Sequence, residues 1–201
     1  MFTGIVQEMG TVVDVAPASG GSLLRIGSPE TARDLDDGAS VAVNGCCLTV
    51  TSCDGDTWAA QAVIETLDRT TLGRLVPGDR VNLERPVRAD GLLDGHVVSG
   101  HVDGVGTVAE RTSLPDGSTH LTVEVPDGLS RYIVTKGSIA VDGVSLTVTG
   151  VAGPPEAFGV AVIPHTAAVT TLGGRNEGDT VNIEVDVLAK YVERLLDRSE
   201  S

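Results

Sequence analysis

The chain begins itself twice. Thr3-Gly4-Ile5-Val6 matches Ser99-Gly100-His101-Val102, and Gly10-Thr11-Val12 matches Gly106-Thr107-Val108. "GASVAVNGCCLTVTSC" from Gly38 matches "KGSIAVDGVSLTVTGV" from Lys136. "ETLDRTTLGRLVPGDRVNLE" from Glu65 matches "HTAAVTTLGGRNEGDTVNIE" from His165. The blocks recur in one order about 100 positions apart, far beyond the ~20–50-residue unit of a solenoid. Two copies of one domain are therefore expected, over residues 1–96 and 97–186, followed by a tail at 187–201. The 201 residues give each copy enough chain to bury its own core.

Each copy reads as β. Short runs rich in Val, Ile and Thr are bounded by Gly, Pro, Asn and Asp. Asn44-Gly45 and Asp142-Gly143 carry the residues a tight primed turn needs, so each predicts a hairpin. About six short strands per copy predict a small closed barrel with Greek-key connections, which leaves no free edge. An open sandwich satisfies the same pattern. The tail differs: Val187, Leu188, Tyr191, Val192, Leu195 and Leu196 form one apolar helical stripe. That stripe packs either on its own barrel or on the helices of other subunits.

Composition narrows the function. Lys+Arg is 14 against Asp+Glu 28, a net charge of −14, which argues against a nucleic-acid partner. Aromatic residues are 2 %, too few for a base-stacking platform. Three cysteines make a disulfide framework improbable, and without a Cys-x-x-Cys spacing no metal site is expected. No run approaches the ~20 apolar residues of a membrane span, so a soluble, cytoplasmic protein is expected.

Strand alternation separates core from site. Cys46, Leu48 and Val50 share one face, and Cys47 and Thr49 the other. Val144, Leu146 and Val148 share one face in the second copy, and Ser145 and Thr147 the other. The apolar sets are core. The polar sets face solvent or a pocket, and a cysteine among them favours a pocket. Between the copies Ile5 becomes His101, Asn44 becomes Asp142, Cys47 becomes Ser145 and Glu65 becomes His165. Two similar pockets with different polar groups would take one kind of molecule in two roles. His96, five residues before His101, makes no strong metal spacing with it, and His120 lies in a turn-rich stretch without an evident role.

At "MFTGIV", "NGCCLTV", "GHVVSGHVDG", "DGVSLTV", "IPHT" and the two "TTLG" segments the chain resembles the alpha-chain riboflavin synthases, from Met1 to about Leu196. The resemblance implies two tandem six-stranded Greek-key barrels and a C-terminal α-helix. It implies a dismutation of two 6,7-dimethyl-8-ribityllumazine molecules into riboflavin and 5-amino-6-ribitylaminopyrimidinedione, without metal or redox cofactor. Each barrel would bind one lumazine. The active site would lie between barrels of neighbouring subunits in a homotrimer, and association with a lumazine synthase is open. Phe2, Ser40, Cys47, Leu48 and Thr49 would serve the N-barrel site, with Gly4, Ile5, Val6 and Gln61, Ala62, Val63, Ile64, Glu65, Thr66 lining that ligand. Gly100, His101, Val102, Lys136, Ser145, Leu146, Thr147 and Ile163, Pro164, His165, Thr166 would line the other. Reactivity is expected of His101, Ser145, Asp142 and Cys47. Cys47 either activates a nucleophile or contacts the ring; acting as a thiolate would need a lowered pKa. A lumazine- or flavin-binding antenna protein of the same fold, and a tandem-barrel interaction module, are the rival readings.

Overall fold

The computed structural model describes residues 1–197. The first barrel holds β1 (Glu8–Ala18), β2 (Gly21–Gly27), β3 (Ser40–Val43), β4 (Cys46–Asp54), β5 (Thr57–Val63) and β6 (Arg80–Glu84), closed in the order β1-β2-β5-β4-β3-β6. The second holds β7 (Gly104–Ser113), β8 (Thr119–Glu124), β9 (Ser138–Val141), β10 (Val144–Ala152), β11 (Ala157–Val162) and β12 (Thr180–Val185), closed in the matching order. Closure decides against the open sandwich. Every pairing is antiparallel, and β2 reaches β5 over the β3–β4 hairpin, the Greek-key crossing.

Local sequence explains the corners. Asn44 and Gly45 sit at φ 45° and 76°, and Asp142 and Gly143 at 46° and 77°, the left-handed pairs of type I′ turns. Register shifts fall at Val12/Asp14 and Val50/Ser52, and again at Val108/Glu110 and Val148/Gly150. These bulges bend the same strands at the same places in both copies, as closing a small sheet requires. The first interior packs Leu24, Ile26, Trp58, Leu72 and Leu83; the second packs Leu121, Ile139, Phe158, Leu172 and Ile183. Trp58 Nε1 donates to Ser28 Oγ at 2.7 Å, so the indole is buried with its polar atom satisfied.

The barrels meet across a reciprocal joint. A Cβ on Gly45 would lie 2.7 Å from Gly143 N, and one on Gly143 2.7 Å from Gly45 N, so the two hairpin turns pack backbone to backbone. Asn82 Nδ2 donates to Asp142 O and its Oδ1 accepts from Thr171 N, at 2.9 and 2.8 Å. Asn182 Nδ2 donates to Asn44 O and its Oδ1 accepts from Thr71 N, at 2.8 and 2.7 Å. Phe2, with 0 % exposure, packs with Ala42, Val98 and Ala140 between the barrels.

Three short helices, α1 (Pro29–Ala32), α2 (Ile64–Arg69) and α3 (Pro164–Val169), decorate the barrels, and α4 (Val187–Asp197) closes the described chain. Residues 198–201 of the expected tail helix lie outside the described residues. Glu193 accepts from the Tyr132 hydroxyl and pairs with Arg131, and Lys190 pairs with Asp103 at 2.6 Å. These contacts tether one side of α4. Its apolar stripe stays open: Leu188, Tyr191, Val192, Leu195 and Leu196 are 56–68 % exposed. No helix among the described residues is long and apolar enough to cross a membrane.

Candidate functional site

The alternation read from sequence places the site chemistry. Cys46, Leu48 and Val50 are buried, while Cys47 is half-buried and Thr49 exposed on the outer face of β4. On β10, Val144 and Val148 are buried, Leu146 packs partly against the second core, and Ser145 and Thr147 face outward. Burial pushes the Cys46 thiol up to about 12, so Cys46 is an inert core thiol.

The opening segments of the two copies are exchanged. Gly100 O accepts from Cys47 N at 2.9 Å, and Gly4 O accepts from Ser145 N at 2.7 Å. Residues 99–102 thus lie on the first barrel, and residues 3–6 on the second. The expected grouping is corrected: Gly100, His101 and Val102 belong with Cys47, and Gly4, Ile5 and Val6 with Ser145. The fit is tight. A Cβ on Gly100 would stand 2.6 Å from Cys47 Cβ, and one on Gly4 2.6 Å from Ser145 Cβ.

One cavity of about 380 Å³ forms where residues 100–103 cross the first barrel. Cys47, Glu65, Thr66, Arg69 and His101 are among its lining residues. Glu65 is held at the rim by an exposed i,i+4 pair with Arg69 at 3.0 Å.

The counterpart on the second barrel carries different chemistry. Ser145 Oγ lies 2.7 Å from His96 Nδ1. The imidazole is 8 % exposed, and burial holds its pKa below the ordinary histidine value. Its Nε2 is buried without a hydrogen-bond partner. Sequence reading missed His96 as a site residue, because its partner is remote in the chain. His101 carries no such pair; it is exposed beside Cys47.

Several expected site residues have other places. Asp142 is 0 % exposed inside the joint. Its Oδ1 accepts from Asn182 N at 2.8 Å, and its Oδ2 takes Arg175 Nη2 at 2.7 Å and Nε at 3.2 Å. Burial raises its pKa against the pull of Arg175. Both carboxylate oxygens are thus committed within the second barrel, and its backbone carbonyl takes Asn82 Nδ2 across the joint. The side chains of Leu48 and Ala62 point into the core, 5 % and 0 % exposed, because strand period sends them inward. They can offer a ligand only backbone. The Phe2 ring likewise is a plug between barrels rather than an open surface. Ser40 lines a separate cavity of about 650 Å³ with Gln7, Asp34, Arg85 and Arg88.

Gln61, Val63 and Ile64 are exposed where β5 runs into α2, and Ile163, Pro164 and His165 where β11 runs into α3. Thr66 and Thr166 are half-buried on those helices, and Lys136 is exposed at φ 70° before β9. Among the described residues, no three His, Cys, Asp or Glu side chains group to hold a metal ion.

The model of the family described as Lumazine binding domain matches residues 3–86 and again 99–186, one match per barrel. The chain belongs to the riboflavin synthase family of lumazine-binding proteins. It is 46 % identical over 199 residues to a riboflavin synthase of Mycobacterium tuberculosis, covering 98 % of both chains. It is 43 % identical to one of Actinobacillus pleuropneumoniae over 98 % of this chain and 90 % of the relative. It is 38 % identical to one of Bacillus subtilis over 99 % and 91 %. In three dimensions it is similar to the protein LumP. The crystal structure of LumP with 6,7-dimethyl-8-(1'-D-ribityl) lumazine superposes at TM-score 0.82 and 26 % identity, over 92 % of this chain and 99 % of that one. The LumP complex with riboflavin superposes at TM-score 0.84 and 27 % identity over the same shares.

Proposed function

We propose that this chain is a riboflavin synthase, a transferase that moves a four-carbon unit between two 6,7-dimethyl-8-ribityllumazine molecules. One becomes riboflavin and the other 5-amino-6-ribitylaminopyrimidinedione. Two identical lumazines contain the atoms and electrons of the two products, so the overall reaction requires no external oxidant or reductant. The observation that carries the reading is that matched places on the two barrels bear unequal polar groups. One offers Cys47 and His101. The other offers the Ser145–His96 pair. Identical substrates can serve as donor and acceptor only if their sites differ, and the duplicated fold with exchanged residues supplies that difference.

The chemistry needs a proton taken from a lumazine methyl group and protons returned during elimination. His96 is kept neutral by burial, which leaves it a base near neutral pH. In the tautomer that leaves Nδ1 unprotonated, the imidazole accepts from the Ser145 hydroxyl 2.7 Å away and makes Ser145 the stronger nucleophile. Cys47, Thr49, Thr66 and His101 on one side, with Lys136, Ser145, Thr147 and His165 on the other, contact the two ligands. Holding two rings in register supplies much of the rate by orientation.

Cys47 and Thr49, and Ser145 and Thr147, stand on outward strand faces, and on this reading the two reactants meet where two subunits do. The open stripe of α4 is the assembly element, and the working unit is a cytoplasmic homotrimer in which one subunit's first barrel faces a neighbour's second. The test is turnover of 6,7-dimethyl-8-ribityllumazine alone in EDTA, following substrate loss and riboflavin absorbance. One riboflavin per two lumazines supports the enzyme. Tight binding with a spectral shift and no product would place the chain with non-catalytic lumazine binders.

A further inference from the structure

The strands β6 and β12 end alike, Val81-Asn82-Leu83-Glu84 and Val181-Asn182-Ile183-Glu184. Their asparagines bridge the joint. Their glutamates, each 4 % exposed, do something else. Glu184 Oε1 accepts from Ser99 N at 2.7 Å, and Oε2 accepts from Gly100 N at 3.0 Å and His101 N at 3.1 Å. Glu84 Oε1 accepts from Thr3 N at 2.6 Å and Thr3 Oγ1 at 2.8 Å, and Oε2 from Gly4 N at 3.0 Å. Each carboxylate receives consecutive backbone amides of one exchanged segment. Such charge-assisted bonds are short and roughly twice as strong as neutral ones.

The held segments lead directly to Cys47 and His101 on one barrel and to the Ser145–His96 pair on the other. From Glu184 the path runs through Gly100, whose carbonyl takes Cys47 N, and through His101, whose own amide is one of the three. From Glu84 it runs through Thr3, whose carbonyl takes His96 N at 3.1 Å, and through Gly4, whose carbonyl takes Ser145 N at 2.7 Å. Both partners of the Ser145–His96 pair are thus fixed to one carboxylate on the other barrel. A loop segment without this anchor would sample positions wider than the tolerance of a working site, about 0.5 Å.

We propose that Glu184 and Glu84 are positioning residues that act crosswise: Glu184, on the second barrel, sets the Cys47–His101 cavity of the first, and Glu84, on the first, sets the Ser145–His96 pair of the second. This rests on the reading that these two places hold the two lumazines. Neither glutamate touches a reacting group; each acts through the segment it holds. A carboxamide in its place keeps one acceptor oxygen and turns an NH2 toward an amide N–H, which strands a buried donor.

The experiment uses full-length protein carrying Cys53→Ser, so that Cys47 is the accessible thiol, with Glu184→Gln and Glu84→Gln introduced separately. Backbone amide NMR shifts, iodoacetamide labelling of Cys47 and steady-state turnover are recorded for each. In E184Q the Ser99, Gly100 and His101 amides should move and the Cys47 labelling rate should change at least threefold, with the Thr3 and Gly4 amides and the His96 ring signals in place. E84Q should show the reverse. Each should lower kcat more than tenfold, and Glu184→Asp, which keeps the charge, should recover part of the loss and serves where E184Q does not fold. Changes confined to the barrel that carries the mutated glutamate, or folded variants with parental turnover, would overturn the proposal. Crosswise NMR and labelling changes in a protein whose parent forms no riboflavin would retain the clasp and remove the enzymatic reading.

Discussion

Ser145 Oγ and His96 Nδ1 stand 2.7 Å apart although 49 residues separate them. The contact exists because the segment before the second barrel runs back past the amino terminus. Phe2 pairs with Val98, Thr3 O takes His96 N, and Gly95 leaves no room for a Cβ, which would sit 2.0 Å from Thr3 O. Replacing Ser145 with Ala leaves both cores intact but takes from the buried His96 Nδ1 its hydrogen-bond partner. Turnover should fall about 10²-fold or more, the range for lost acid–base or nucleophilic assistance, while the stranded imidazole nitrogen costs about 1–3 kcal/mol of stability and leaves the protein folded at assay conditions. Parental rates in S145A would remove this hydroxyl from the chemistry.

His96 should also write itself into the pH dependence of stability. Burial lowers its folded pKa, against a smaller opposing pull from Asp186. Below the ordinary histidine value of about 6.5 the unfolded chain then binds the extra proton and the folded chain does not. Stability from this group is complete above that value and is lost as pH falls through it. Glu84 and Glu184 have the opposite sign: burial raises their folded pKa, so their contribution falls as pH rises above the ordinary carboxylate value of about 4.3. Urea midpoints of the parent and of His96→Gln, taken from about pH 7.5 to about 5.5, separate the two. The parent should weaken more steeply than the variant, and parallel curves would contradict the assignment.

Gly100 combines φ +80° with a site where a Cβ would meet Cys47 Cβ at 2.6 Å and Phe2 Cε2 at 3.0 Å. Gly38 has φ +87° and open space. Gly38→Ala should cost about 1 kcal/mol from backbone strain alone. Gly100→Ala should cost about 3 kcal/mol, adding overpacking to strain, and should displace His101 from the Cys47 cavity. Equal thermal shifts for the two would show that the segment yields easily.

Asp142 is legible as a turn aspartate, and its carboxylate is buried on Arg175. Asp142→Asn keeps an oxygen for Asn182 N but leaves the Arg175 guanidinium without its carboxylate. Breaking a buried pair from one side costs about 3–5 kcal/mol, and Arg175, 23 % exposed, can rehydrate, which puts the loss at the lower end. Chemical denaturation should show that loss while the folded fraction keeps its kcat. A selective fall in kcat at unchanged stability would return Asp142 to the reactive groups.

The double change Leu188→Glu and Leu195→Glu targets side chains 64 % and 68 % exposed in the single chain. It should leave barrel unfolding unaltered and, on the proposal that α4 assembles a homotrimer, convert the sedimenting species from trimer to monomer, with turnover lost alongside assembly. A variant that stays trimeric would move the assembly surface off α4.

Much of this protein is local and therefore readable. Asn44-Gly45 and Asp142-Gly143 fix two hairpins because few residues accept positive φ. The alternation at Cys46 to Val50 separates core from outer face because strand period is two. The repeat itself declares two copies of one domain, and closure of each into a barrel is seen in the structure. Tertiary structure alone decided which opening segment lies on which barrel. Matched copies present matched residues, so nothing in the sequence tells Gly4 from Gly100 as the neighbour of Ser145. It also decided the work of Glu84, Glu184 and Asp142, since the partners of a buried carboxylate depend on which amides the chain brings to it from 40 to 85 residues away. Those meetings follow from closure of two barrels against one another, a long-range packing outcome that no local periodicity encodes.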